Sequence, residues 1–122
     1  MAGIPIGIDF NITAFFYKST GELYNIETEL LDVFIYAIDD TTEQIVAKFS
    51  KRVKAGFTTL TKSDINYYYG DVQSSATAVL AGKRLRIESR GIAVDATLTD
   101  GYRDLIVIAY SDYFVTNQVR AV

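Results

Sequence analysis

An all-β chain built as an antiparallel sandwich is the fold class this sequence predicts. Three observations predict it. Short runs rich in Ile, Val, Phe, Tyr and Thr recur at spacings of roughly ten residues, separated by Gly, Asp, Asn and Ser. Several runs alternate apolar and polar residues, the period of a half-buried strand. The 122 residues contain a single proline and are 49% hydrophobic and 22% charged, a balance that suits one globular domain spanning 1–122.

The first strand is expected over Ile8–Tyr17, where Ile8, Phe10, Ile12, Ala14 and Phe16 alternate with Asp9, Asn11 and Thr13. Ser19-Thr20-Gly21-Glu22 reads as a turn, and Glu22–Ile26 as a short strand. Leu31–Ile38 follows, with Val33, Ile35 and Ala37 on one face and Phe34, Tyr36 and Ile38 on the other. Both faces are apolar, so this strand is either covered twice or carries an aromatic stripe. Asp39–Glu43 is a hairpin loop, and Gln44–Ser50 returns. Residues 51–56 form a turn at Gly56, and Phe57–Thr61 is another strand. Ser63 is placed to cap one helical turn, and Ala76–Ala81 fits strand or short helix equally. A three-stranded meander is expected at the end: Lys83–Ser89 and Ile92–Thr99 joined at Arg90-Gly91, then Tyr102–Val115 after Asp100-Gly101. Asp-Gly favours tight turns because glycine accepts positive φ. Seven or so such strands in a chain of this length are the pattern of an immunoglobulin-like β-sandwich, with a small closed β-barrel as the alternative.

Composition removes much chemistry. The chain has no Cys, no His and no Trp. Disulfides, thiolate metal sites, Cys nucleophiles and every mechanism resting on imidazole are therefore outside its reach. Carboxylates remain as acids and bases, but Asp39, Asp40, Asp95, Asp100 and Asp104 read as turn residues, and Asp95…Asp104 lacks the alternating oxygen spacing of a calcium loop. Gly82-Lys83 lacks the remainder of a phosphate-binding loop. No cofactor and no metal is expected, and no catalytic residue.

The formal charge of −3 argues against nucleic acid as a partner. The basic residues cluster, with Lys48, Lys51, Arg52 and Lys54 in one group and Lys83, Arg84, Arg86 and Arg90 in another. They make either a solvated strand face or a patch for an acidic surface. The apolar run Leu105–Tyr110 is six residues and none is longer, against roughly 20 for a membrane helix. Nothing near Met1–Phe10 reads as a signal peptide, so synthesis in a cytoplasm and no membrane contact are expected. Asn66-Tyr67-Tyr68-Tyr69-Gly70 is the most unusual local feature. Three consecutive tyrosines cannot all point inward from a strand, and an outward tyrosine suits protein contact or a sugar. Tyr67, Tyr68 and Tyr69, with Lys51, Arg52 and Lys54, are the candidate contact residues. The stretch Asp112–Val122 is a candidate for pairing with a neighbouring strand.

Gly7–Thr13 opening a strand, Ser19–Tyr24 as a first hairpin turn, the aliphatic Leu31–Ala37, Phe57–Asp64 with its T-x-x-D turn, and Val79-Leu80-Ala81-Gly82-Lys83-Arg84-Leu85 occur in an order that resembles the immunoglobulin-like N-terminal domains of phage baseplate upper proteins and related tail and head-appendage proteins. Thr99–Asp104 is similar to a motif of virion proteins from phages of gut Bacteroidetes. The likeness covers about residues 7–105, and departs from the pattern in the length of Ser63–Ser75 and in Arg84-Leu85 standing where a tyrosine is usual. It implies a non-enzymatic bacteriophage virion protein, made in the host cytoplasm. Such a protein is an adaptor or decoration of a tail, baseplate or head, partnered by other virion proteins in an oligomer or symmetric assembly. The alternative is a carbohydrate- or receptor-binding module that takes a glycan receptor near Asn66–Asp71.

Overall fold

The computed structural model describes residues 3–116. The strands are β1 (Ile4–Pro5), β2 (Phe10–Ala14), β3 (Leu30–Asp39), β4 (Ile45–Ser50), β5 (Thr58–Thr59), β6 (Thr61–Asp64), β7 (Tyr67–Val72), β8 (Leu85–Val94), β9 (Tyr102–Tyr110) and β10 (Phe114–Val115). Two single-turn helices interrupt them, α1 (Ile26–Glu29) and α2 (Ser74–Thr77). The chain is all-β. Its strands form a five-stranded sheet in the order β5-β4-β3-β8-β9, a three-stranded sheet β2-β7-β6, and the pair β1-β10. Pairing is antiparallel except for β4 with β5 and β1 with β10, which run parallel, so the purely antiparallel expectation is corrected at these short contacts. No sheet closes on itself among the described residues, and the small barrel is not formed.

One hydrophobic cluster lies between the two larger sheets. β2 and β7 supply Ile12, Ala14, Tyr68 and Val72, while β3, β4 and β8 supply Leu30, Val33, Ile35, Ala37, Phe49, Leu85, Ile87 and Ala93. Phe16, Ile26, Leu60, Leu80 and Phe114 complete it. The approach is close at Gly70, where a Cβ would lie 2.5 Å from Phe49 Cδ2.

The double-faced apolar pattern of β3 is explained by its central place. Its outward Phe34 and Tyr36 are covered by Phe57, with ring centroids 5.6 and 5.9 Å away. The loop after β4 thus folds back as a lid on the outer face. Lys48 and Lys54 then stand over Phe57, their Nζ atoms 4.8 and 5.8 Å from its centroid.

Several elements differ from expectation. Residues 22–26 form no strand beyond a bridge from Tyr17 to Leu23. Asn25 instead caps α1: its Oδ1 accepts from Thr28 N at 3.0 Å, and Glu29 Oε1 accepts from Asn25 N at 2.7 Å, satisfying two free backbone donors at the start of the turn. Ser63 lies within β6, not on a helix. The first strand is trimmed to β2, and 74–77 rather than 76–81 make the small helix. The largest correction is at Arg90-Gly91. There is no turn there; β8 runs straight through, paired with β3 from Leu85 to Ala93. Gly91 is present for closeness, because a Cβ would lie 3.3 Å from Phe16 Cζ. The hairpin that does exist spans 95–101, with Gly101 at φ +81.

Candidate interaction surface

β9 is the last strand of the five-stranded sheet and is paired residue for residue with β8, from Val94↔Tyr102 to Arg86↔Tyr110, without a bulge. Its other edge meets no strand among the described residues. The direction of its backbone groups follows from two bonds at its ends. Ser111 N donates to Leu85 O, and Gly101 O accepts from Asp95 N, at 2.9 and 2.8 Å. Backbone direction alternates along an antiparallel strand. Arg103, Leu105, Val107 and Ala109 therefore bond to β8, while Asp104, Ile106, Ile108 and Tyr110 turn their N–H and C=O groups to the open edge, as does Tyr102 with its C=O, its N–H donating to Asp100 Oδ1 at 3.1 Å.

The side chains at this edge are apolar on both faces. Ile106, Ile108 and Tyr110 on the outer face are 53%, 53% and 52% exposed, and Val107 on the inner face 43%. Val107 and Ala109 also line an apolar groove of about 240 Å³ with Phe10, Ile12 and Phe15, at the gap between the edges of β9 and β2. Native edge strands are ordinarily protected by charge, proline, a bulge or shortness. Residues 105–110 contain neither charge nor proline, and β9 has nine residues. Both ends are fixed. Arg103 holds Asp95 through Nη2 at 2.8 Å. Asp95 Oδ1 accepts from Thr97 Oγ1 and N at 2.6 and 3.0 Å. These bonds, with Arg103, hold the Asp95 carboxyl down at a pKa of about 2. At the other end the Arg84 guanidinium stacks 4.4 Å from the Tyr110 ring centroid.

The residues nominated from sequence are divided by the fold. Strand alternation places Tyr68 in the core, 7% exposed, and turns Tyr67 and Tyr69 outward, both half-buried. Tyr67 packs on Phe15 at 5.8 Å, and Phe15 on Tyr17 at 5.8 Å, an exposed aromatic group that no single stretch of sequence reveals. Lys51 ties the sheet to α1. Its Nζ donates to Leu30 O at 2.7 Å and Glu27 O at 3.2 Å, and burial pushes its pKa down. Arg52 caps the buried Asp32, its N 3.3 Å from Oδ1 and its Nε 3.4 Å from Oδ2. Lys54 is exposed beside Phe57. In the second basic group, Lys83 pairs with Asp39, Arg84 with Asp40, Arg86 with Asp40, Glu43 and Glu88, and Arg90 with Glu88. A cluster that is basic in sequence is close to neutral in space. Among the described residues no group of His, Cys, Asp or Glu converges as a metal site would require. Within Asp112–Val122, β10 pairs with β1 of the same chain, and 117–122 lie outside the described residues.

No family model, curated protein or solved structure matches the chain.

Proposed function

We propose that the chain is a non-enzymatic structural subunit of a bacteriophage virion, an adaptor or decoration of a tail, baseplate or head, and that its two larger sheets are the layers of an immunoglobulin-like sandwich. The observation that carries the contact role is the open edge of the nine-residue β9, which over 105–110 has no charge or proline and apolar side chains on both faces. Backbone donors and acceptors facing outward beside buried-type side chains are the chemistry of strand addition. The lack of His and Cys supports a scaffold rather than a catalyst. The turn-and-strand resemblance supports the virion. Tyr67, Tyr69, Arg52 and Lys54 flank the sheets as further contact candidates.

The test is co-purification. An antibody to the chain should detect it in gradient-purified virions. A chain recovered only as a soluble monomer, absent from the particles, contradicts the proposal. The exposed Phe15–Tyr17–Tyr67 group favours a second reading, glycan binding. Its rings are tilted or perpendicular, at 89° and 55°, rather than coplanar. A glycan array on which Tyr17→Ala abolishes reproducible binding would establish that reading.

A further inference from the structure

The contact role of β9 does not by itself say what occupies the edge; resting on that role, we infer that the occupant is β9 of a second copy, run antiparallel about a two-fold axis through Ile106. The register follows from the backbone directions. Five residues turn backbone groups outward: Asp104, Ile106, Ile108 and Tyr110 with N–H and C=O both free, and Tyr102 with its C=O free and its N–H held by Asp100 Oδ1 at 3.1 Å. About an axis at Ile106, Tyr102 meets the second copy's Tyr110, Asp104 meets Ile108, and Ile106 meets itself. Each such pair exchanges two N–H···O bonds, the Tyr102 N–H trading its bond to the exposed Asp100 carboxylate for the second copy's Tyr110 carbonyl, so every outward group of β9 finds a mate. An axis at Leu105 strands both groups of Tyr110, and one at Val107 strands the Tyr102 carbonyl. All five positions are even-numbered and share the outer face, so the pairing keeps outer face with outer face. The two five-stranded sheets then join as one.

Side chains suit the same register. The charged residues of β9 are Arg103 and Asp104; they fall opposite Ala109 and Ile108, so no like charges oppose each other. Ile106 faces Ile106, an apolar pair that a strand ladder favours. On the inner face the second copy's Leu105 comes opposite Val107, at the mouth of the 240 Å³ groove lined by Phe10, Ile12 and Phe15. The groove thereby receives an apolar side chain from each copy. A foreign strand with charged side chains would find no counter-charge along 105–110, whereas β9 itself matches in length, polarity and spacing.

The chain has no cysteine, so a single introduced thiol reports the register. Ile106→Cys places two thiols across the axis with Cα atoms about 5.5 Å apart, within disulfide reach. Mild oxidation of the full chain should give a covalent dimer on a non-reducing gel. Ile108→Cys alone should not, because its own copies lie four residues apart along the ladder, about 13 Å. Mixing Ile108→Cys with Asp104→Cys should restore the cross-link. Ile106→Lys, at an exposed position, should leave the melting curve of the fold in place while weakening the dimer in sedimentation equilibrium by about tenfold or more. A wild-type chain that is monomeric throughout the accessible range, or one in which Ile108→Cys cross-links as readily as Ile106→Cys, overturns the inference. A monomer that is still found in virions overturns this pairing and leaves the structural-subunit proposal intact. A dimer absent from virions does the reverse.

Discussion

Replacing Gly70 by alanine tests whether the two larger sheets truly share one close-packed interior. Gly70 is not among the positive-φ glycines, so alanine adopts its backbone conformation without strain. In that situation the substitution normally stabilises by about 0.4–1 kcal/mol through the unfolded chain. Here packing opposes it. The new Cβ would lie 2.5 Å from Phe49 Cδ2, 2.7 Å from Cε2 and 3.1 Å from Cγ. That ring is rigid and only 2% exposed, so it cannot swing away into solvent. Overpacking of this kind costs about 1–3 kcal/mol. The steric cost exceeds the entropic gain, leaving a net loss of roughly 1–2 kcal/mol, or a fall in Tm of roughly 3–8 °C for a chain of this size. Thermal and denaturant unfolding followed by circular dichroism measure it. Adding Phe49→Leu to Gly70→Ala should cost less than the sum of the two single changes, since the smaller side chain vacates the contested space. Gly91→Ala should be milder, because its nearest neighbour is at 3.3 Å. A Gly70→Ala protein as stable as the parent, or more stable, would refute the close approach of the two sheets.

Three further outcomes follow from the same contacts. Asp32→Ala should destabilise by about 1–3 kcal/mol, since its carboxylate accepts from Val33 N and Arg52 N at 2.8 and 3.3 Å in a buried position; urea unfolding checks it. Phe57→Ala should lower stability by about 1–2 kcal/mol by uncovering Phe34 and Tyr36, with binding of a hydrophobic dye as the second readout. The Asp95 carboxyl is held down from 3.8 to about 2, so its contribution is complete above the ordinary carboxylate pKa and is lost as pH falls through about 2. Asp95→Asn should flatten that part of the stability-versus-pH curve and leave neutral pH nearly level.

The strand-rich pattern is legible in the sequence because alternation is a local property. The alternating Ile12, Ala14 and Phe16 do face the core, as do Val33, Ile35 and Ala37. Local pattern misleads at Arg90-Gly91, where a glycine ordinarily signals a turn. The inward set Leu85, Ile87, Ser89, Gly91 and Ala93 passes through that point without a break in period. Gly91 is small because Phe16 and Leu30 press on it, a fact that belongs to packing across the core. The basic groups mislead for a similar reason: two of the three acidic partners of Arg86 come from positions 40 and 43, brought near by strand register. The interaction surface is visible in the sequence only in part. Leu105–Tyr110 and Val33–Ile38 are apolar runs of equal length, but whether such a run is buried centrally or left at an edge is decided by long-range pairing, which no local pattern encodes.

The central claim, that the β9 edge is where this protein makes its contacts, is tested most directly by hydrogen exchange of individual β9 amides before and after assembly. In the free chain, with Ile106→Lys as the unassociated reference, the amides of Leu105, Val107 and Ala109 should be protected by β8, while those of Asp104, Ile108 and Tyr110 exchange fast. On assembly the second set should slow to match the first, giving uniform protection along the strand. An even-numbered set that still exchanges fast in the assembled state, with new protection appearing elsewhere on the chain, would contradict the account.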